Sequence, residues 1–163
     1  MDNYKVIDNF LDKNDFIKIK NTLESCDFPY YLQKEINKNH DKNDLTCYFT
    51  HMLFSQESGY SNYFHIVSPL IKKLEAKALI RVKANIYPKT EKVEKNEPHM
   101  DYEYKHKGAL FSINTNNGGT ILSDNTKIDS IENRILFFNP AENHSSTTTS
   151  NSKFRININI NYF

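Results

Sequence analysis

The stretch Phe154-Arg155-Ile156-Asn157-Ile158-Asn159-Ile160-Asn161, near the end of the 163-residue chain, alternates strictly between two kinds of side chain. Successive side chains of a β-strand point to opposite faces of the sheet. One face of this strand is therefore wholly apolar, and the other carries one arginine followed by three asparagines. The stretch predicts a strand with one wholly apolar face and one inward face that carries Arg155 and the three asparagines.

Several other segments of the second half also have strand character. Residues 80–87 alternate with a period of two, and residues 135–138 form an apolar run that predicts a strand buried on both faces. Residues 110–114 and 120–122 predict two short strands, with a turn at Gly118-Gly119 between them. Many short strands with turn signals favour a sandwich or a barrel.

The first half of the chain is predicted to begin with a short strand and turn, at Val6, Ile7, Phe10 and Leu11, and to be mainly helical after it. Asn14 is a candidate N-cap of a first helix, and residues 62–78 predict a second helix with a kink or restart at Pro69. Residues 33–46 are polar without a period and predict a loop. The buried side of the first helix is expected to consist of Phe16, Ile17, Ile19 and Leu23.

Length and charge limit the possible classes of protein. We expect a single domain, residues 1–163, in which 1–78 form a helical support region and 79–163 the β core. The 21 basic and 20 acidic residues give a net charge of +1, which excludes a nucleic-acid module that acts by bulk charge. No apolar run approaches the roughly twenty residues of a membrane span.

The cysteines and the N-terminus bear on the compartment. Cys26 and Cys47 lack metal-binding spacing and are too few for a disulfide scaffold, so we expect free, at least partly buried thiols. The first ten residues lack the apolar segment of a signal peptide. We therefore expect a cytoplasmic, reducing location.

Three side chains form a candidate metal site. In His99-Met100-Asp101, a strand would place the imidazole and the carboxylate on one face, about 7 Å apart at Cα. His144 follows the apolar run at 135–138. Two histidines and one carboxylate that leave the other coordination positions of the metal open form the facial triad of non-haem Fe(II) oxygenases. A bidentate 2-oxo acid on such a metal needs a cationic partner for its far carboxylate, and the fork of Arg155 suits that role.

The order of these motifs resembles that of the Fe(II)/2-oxoglutarate-dependent oxygenases, especially the prolyl 4-hydroxylase-like branch. The resemblance covers about residues 79–163. The matching segments are Asn85-Ile86-Tyr87-Pro88, Pro98-His99-Met100-Asp101-Tyr102, Leu110-Phe111-Ser112-Ile113-Asn114 with Gly118-Gly119-Thr120, Asn133-Arg134-Ile135-Leu136-Phe137-Phe138, then His144 and Arg155.

This resemblance implies a mainly β fold with flanking N-terminal helices, an α+β arrangement around a double-stranded β-helix of the jelly-roll or cupin type. It implies that His99, Asp101 and His144 bind Fe(II) as the catalytic centre and that Arg155 holds 2-oxoglutarate, with O2 as the second co-substrate. Tyr87 and Asn85 would contact the co-substrate. Asn157 either joins them, as in the Arg-x-Asn pattern of the alkylated-base demethylases, or is a structural asparagine.

The implied activity is a dioxygenase reaction that hydroxylates an unactivated C–H bond and releases succinate and CO2. A prolyl or other residue of a protein or peptide is the leading substrate. An oxidative nucleic-acid demethylase of the same superfamily is an alternative, which the near-neutral charge disfavours. A catalytically silent jelly-roll binding module and small-molecule hydroxylation also stay open. The sequence leaves the oligomeric state open as well. Ser112 stands where oxygen-sensing relatives have a tyrosine. His106 is expected in a surface loop, with substrate contact as the alternative.

Overall fold

The computed structural model describes residues 4–33 and 47–163, which form two antiparallel β-sheets and two α-helices. All of the predicted loop except Gln33 lies outside the described residues. The strands are β1 (Lys5–Ile7), β2 (Tyr31–Gln33), β3 (Tyr48–Ser55), β4 (Gly59–Tyr60), β5 (Leu79–Pro88), β6 (Lys107–Ser112), β7 (Gly119–Ile121), β8 (Lys127–Asp129), β9 (Ile135–Phe138), β10 (Ser145–Ser146) and β11 (Phe154–Tyr162). The helices are α1 (Lys13–Leu23) and α2 (Ser68–Leu74), and α2 follows a 3-10 helix (Phe64–Val67).

The large sheet has eight strands, and β11 lies near its middle. Its order is β1-β9-β6-β11-β5-β3-β2, with β4 paired to β3, and the small sheet has the order β10-β7-β8. Together the two antiparallel sheets confirm the predicted β fold with a jelly-roll core and flanking helices. The segments predicted to be strands at 80–87, 135–138 and 154–161 all lie in the large sheet.

The two faces of the large sheet differ in chemistry, as the alternation in β11 predicts. Ile156, Ile158 and Ile160 are fully buried in one apolar cluster with residues of both helices, such as Ile19 and Leu70. Burial of these side chains is the main force that holds the helices on this face. The opposite face carries polar side chains from β5 and β11 in four cross-strand pairs, which we call the polar ladder: Tyr87–Arg155, Asn85–Asn157, Lys83–Asn159 and Arg81–Asn161.

The short strand predicted at Val6 and Ile7 is β1, but the prediction that residues 1–78 otherwise form a helical support region is incomplete, because β2 and β3 also belong to the large sheet. The longest of them, β3, pairs with β5 over most of its length. The register of this pairing shifts between Met52 and Phe54, which marks a bulge. A bulge reverses the phase of the alternation, so β3 shows no period of two in the sequence.

The helices also differ in detail from the prediction. Helix α1 begins at Lys13, and its N-cap is Asp12 rather than Asn14, while Ile17 is 39% exposed. The predicted restart at Pro69 is confirmed: a 3-10 helix ends at Val67, and α2 begins at Ser68 with the proline in its first turn. Proline suits that position because the first helical N–H groups have no partner in the helix. Helix α2 is shorter than predicted and ends at Leu74.

Two further expectations concern the cysteines and the membrane. Cys26 and Cys47 are free but exposed, so the expected burial is wrong. Within the described ranges, every helix is too short or too polar to cross a bilayer.

Candidate metal centre

The structure brings His99, Asp101 and His144 together at one end of the polar ladder. One ligand atom from each residue lies within 4.8 Å of the other two. The backbones of His99 and His144 form an antiparallel bridge, in which each N–H donates to the other carbonyl at 3.0 Å. Within the described part of the chain, this single bridge at His99 is the only strand-type pairing of residues 99–101, so the segment does not form the regular strand that was predicted.

Main-chain carbonyls orient both imidazole rings. Nδ1 of His144 lies 3.0 Å from the Glu142 carbonyl oxygen, and Nδ1 of His99 lies 3.5 Å from that of Glu97. A carbonyl oxygen only accepts, so each Nδ1 carries a proton, and the neutral form of each ring keeps its electron pair on Nε2. This is the tautomer that metal-binding histidines with such partners adopt.

Three donors hold the carboxylate of Asp101. Arg81 Nη2 lies 2.6 Å from Oδ1, and the side-chain amides of Asn159 and Asn161 donate to Oδ2 at 3.2 and 2.9 Å. The side chain of Asp101 is only 4% exposed. Burial by itself raises the pKa of Asp101, but Arg81, His144 and the two amides outweigh it and hold this pKa below its usual value.

The protonation states suit a metal. The Asp101 carboxyl is ionised at neutral pH because its pKa is lowered. Burial, and then the neighbouring His144, lower the pKa of His99 and favour its neutral imidazole. Metal ligands must be deprotonated, so these two side chains are already in the state that accepts a divalent cation.

Arg155 is fully buried at the other end of the polar ladder. It donates from Nε to Ser130 Oγ at 2.7 Å, from Nη1 to the Thr147 carbonyl at 3.2 Å, and from Nη2 to Thr120 Oγ1 at 3.2 Å. These bonds use three of its five N–H groups, which leaves one on each terminal nitrogen. Burial lowers the pKa of Arg155 to about 10, so the guanidinium stays charged at neutral pH.

Gly118 makes room for this arginine. A Cβ at Gly118 would lie 2.9 Å from Arg155 Cδ and would also meet the Thr148 carbonyl oxygen. Tyr87 covers the other side, with its ring centroid 5.3 Å from the Arg155 guanidinium carbon. The guanidinium therefore has a defined position and two free donors, which fits a carboxylate.

Asn85 and Asn157 lie between Arg155 and the three metal-binding candidates. The amide nitrogen of Asn85 donates to Asn157 Oδ1 at 2.9 Å. Asn85 Oδ1 and Asn157 Nδ2 are buried and have no hydrogen-bond partner among the described residues. A buried orphan donor beside a free guanidinium fork suits a ligand that is rich in oxygen.

A cavity of about 400 Å³ connects these groups. Its walls include the three metal-binding candidates, the four β5 residues of the polar ladder, and Thr120 and Ser146 of the small sheet. Arg155 lies directly behind two of these wall residues, Thr120 and Tyr87. A wider groove of about 640 Å³ beside Tyr162 contains none of the three candidates, so we place the chemistry in the smaller cavity.

The sequence analysis missed Asn161, which donates to Asp101, and three residues that line the cavity. Arg81, Lys83 and Asn159 line the cavity, and Arg81 and Asn159 touch Asp101. The signal was present, because Arg81 and Lys83 alternate in phase with Asn85 and Tyr87 in β5. Strand alternation alone places all four on one face.

The expectation for His106 was wrong. This residue is only 7% exposed, although its neighbours Lys105 and Lys107 are exposed. Its Nδ1 donates to the Tyr104 carbonyl at 2.8 Å, and its Nε2 accepts from Asn161 Nδ2 at 3.1 Å. His106 therefore supports the amide that holds Asp101.

Comparisons with known proteins bear on the fold. No protein-family model and no curated protein matches the sequence. Solved structures do match. One is a prolyl hydroxylase from Trichoplax adhaerens in complex with a hypoxia-inducible-factor peptide, which is 16% identical in sequence. The match has a TM-score of 0.69 and covers 100% of this chain and 84% of that chain. A collagen prolyl hydroxylase of Paramecium bursaria Chlorella virus-1 is 13% identical in sequence. This match has a TM-score of 0.64 and covers 98% of this chain and 94% of that chain.

A third match is a 2OG-Fe(II) oxygenase family oxidoreductase from Burkholderia pseudomallei, 10% identical, with a TM-score of 0.72 over 98% of this chain and 84% of that one. The chain has the fold of the 2-oxoglutarate and Fe(II) oxygenases. The likeness spans nearly the whole chain, so the oxygenase fold includes the first half, where the sequence resemblance was absent.

Proposed function

We propose that this chain is an Fe(II)- and 2-oxoglutarate-dependent dioxygenase that hydroxylates an unactivated C–H bond in a protein or peptide, at a prolyl or another residue. The observation that carries the proposal is the convergence of His99, Asp101 and His144 within 4.8 Å. The free fork of Arg155 behind the same cavity supports it. The shared fold with prolyl hydroxylases agrees with this chemistry.

The donor set fits Fe(II). Two neutral imidazoles and one carboxylate occupy one side of a metal and leave its other positions open, as in non-haem Fe(II) oxygenases. When bound, Fe(II) would supply the oxidising chemistry: O2, 2-oxoglutarate and the substrate C–H bond give succinate, CO2 and the hydroxylated substrate, with one oxygen atom of O2 in succinate and the other in the new hydroxyl group. Under this proposal, His99, Asp101 and His144 hold the metal.

The remaining residues bind and position the co-substrate. Arg155 pairs with its far carboxylate through the two free N–H groups, and Asn157 Nδ2 offers a further buried donor. Tyr87 and Thr120 line the cavity beside Arg155 and contribute to the complete burial of its guanidinium. In a site with little water, these charge-assisted hydrogen bonds are stronger than they are in solution.

The substrate class rests on analogy with solved neighbours. One neighbour was solved with a peptide of hypoxia-inducible factor, and another is described as a collagen prolyl hydroxylase. The nucleic-acid alternative rested partly on Asn157, whose amide oxygen accepts from Asn85. Asn157 Nδ2 stays available for the co-substrate in either case, but the near-neutral net charge disfavours a nucleic acid, so a peptide substrate is the better proposal.

Succinate formation tests the proposal. The Fe(II)-loaded protein is incubated in air with 2-oxoglutarate, with and without a library of proline-containing peptides. We expect succinate in excess over the Asp101→Ala variant and the gain of one oxygen atom in a subset of the peptides. If the wild type and Asp101→Ala form the same amount of succinate, the dioxygenase proposal fails and a binding module replaces it.

A further inference from the structure

Lys83 occupies a special place in the polar ladder. It lies in the wall of the metal cavity and also in the wall of a neighbouring groove of about 540 Å³. Tyr48 is the other residue that lines both spaces. The groove carries the side chains of Tyr31 and Tyr60, which are 61% and 66% exposed. Lys83 therefore lies between the metal cavity and an exposed aromatic surface.

The ammonium group of Lys83 lacks an anionic partner within 4–33 and 47–163. None of the ion pairs or hydrogen bonds in these ranges includes Lys83 Nζ, which lies 5.7 Å from the ring centroid of Tyr48. Asp101 is the carboxylate of this cavity, and its oxygens already accept from Arg81, Asn159 and Asn161. Burial, with a smaller effect of Arg81, lowers the pKa of Lys83 to about 8. An unpaired ammonium in such a place is costly, and an anionic ligand would offset the cost.

We propose that Lys83 binds the carboxylate of an acidic residue in the peptide substrate, next to the residue that is hydroxylated. This inference rests on the proposed function and narrows its substrate class to acidic peptides. The exposed tyrosines of the groove suit the rest of an extended peptide, because aromatic side chains combine a large contact area with a polar tip.

The co-substrate does not account for Lys83. Lys83 lies four residues along β5 from Tyr87, the partner of Arg155, which is about 13 Å along the strand. Arg155 already offers a carboxylate two free donors at that distant end. The charges agree, because Arg155 pairs with the far carboxylate of 2-oxoglutarate, while Fe(II) takes the other carboxylate and Asp101, so none of these three carboxylates is left for Lys83. The positive charge of Lys83 then stays available for the substrate.

Nuclear magnetic resonance of the lysine side chains tests this inference in the full chain. The protein carries 13C at its lysine ε-carbons, Zn(II) in place of Fe(II), and saturating 2-oxoglutarate, so that no turnover occurs. The signal of Lys83 is assigned by its loss in Lys83→Met. The probes are the capped tripeptide Asp-Pro-Asp and its neutral analogue Asn-Pro-Asn.

We expect the acidic tripeptide to raise the pKa of Lys83 and to bind at least tenfold more tightly than the neutral one, since an opposite charge favours the protonated amine. Lys83→Met should abolish this preference and Lys83→Arg should keep it. Lys72→Met serves as the control, because Lys72 is an exposed residue of α2 on the other face of the sheet.

Three results would overturn the inference. A rise in the pKa of Lys83 with 2-oxoglutarate alone would assign this lysine to the co-substrate. Equal binding of the two peptides, or no binding of either, would refute the preference for acidic peptides. If Zn(II) and 2-oxoglutarate still bound in that case, the proposed function would stand. Failure of Zn(II) and 2-oxoglutarate to bind would remove both.

Discussion

At the scale of single residues, three side-chain donors converge on Asp101. Its carboxylate accepts from Arg81, Asn159 and Asn161, and Asn161 in turn donates to His106. The amide nitrogen of Asn161 has two hydrogens, so it can serve Asp101 and His106 at once. Such outer partners orient a metal ligand and typically change metal affinity by about 10–100-fold.

The first prediction concerns this amide. Asn161→Ala removes one donor from Asp101 and leaves Nε2 of buried His106 without its partner. We expect the affinity for Mn(II), measured by isothermal titration calorimetry, to fall by about 10–100-fold. The exposed Asn62→Ala variant is the control and should bind like the wild type. Wild-type affinity in a folded Asn161→Ala protein would refute this role.

Sequence reasoning could find some of these residues and not others. The i, i+2 spacing identified His99 with Asp101, and the alternation in β11 placed Asn157, Asn159 and Asn161 on the face of Arg155. The bonds from Asn159 and Asn161 to Asp101 span 58 and 60 residues of chain. Such contacts depend on how a loop returns over the sheet, which no local pattern encodes.

At the scale of elements, strict alternation made strands β5 and β11 predictable, whereas β3 was missed because its bulge interrupts the pattern. The predicted start of helix α1 depended on a choice between two capping residues. Asp12 and Asn14 both favour an N-cap, but in the structure Asp12 accepts from the backbone N–H groups of Asn14 and Asp15. The sequence alone could not separate the two because each is followed by apolar residues at helical spacing.

The second prediction follows from this cap. Asp12→Ala should lower the thermal midpoint by a few degrees more than Asn14→Ala, because only the first change removes the cap. Differential scanning calorimetry measures both. The hydrogen bonds from Asp15 and Asn14 lower the pKa of Asp12 from 3.8, so its contribution is present above that pH and lost as the pH falls through the lower folded value. Equal midpoints for the two variants would contradict the cap at Asp12.

At the scale of the whole molecule, the metal-binding candidates join distant parts of the fold. His99 and Asp101 lie between β5 and β6, whereas His144 follows β9. A metal held by all three would bind the folded state and not the unfolded chain, so it would stabilise the fold by mass action.

The third prediction is a metal-dependent stability. At Mn(II) concentrations about 100 times Kd, the folded state should gain about 2.7 kcal/mol, which raises the thermal midpoint by roughly 5–10 °C for a domain of this size. Thermal unfolding with and without Mn(II) measures the shift. His144→Ala, compared with its own metal-free midpoint, should show little or no shift. An equal shift in this variant would place the metal elsewhere.

The central claim is that one cavity holds both Fe(II) and 2-oxoglutarate, and an anaerobic titration tests it most directly. Metal-free protein receives Fe(II) and then 2-oxoglutarate, while the weak visible charge-transfer band of the chelate is recorded. We predict a band in the wild type and in Arg134→Lys, whose arginine pairs with Asp8 on the surface. His99→Ala should lose the band, and Arg155→Lys should need at least tenfold more 2-oxoglutarate, because lysine lacks the fork. No band at saturating 2-oxoglutarate, or an equal band in His99→Ala, would contradict the account.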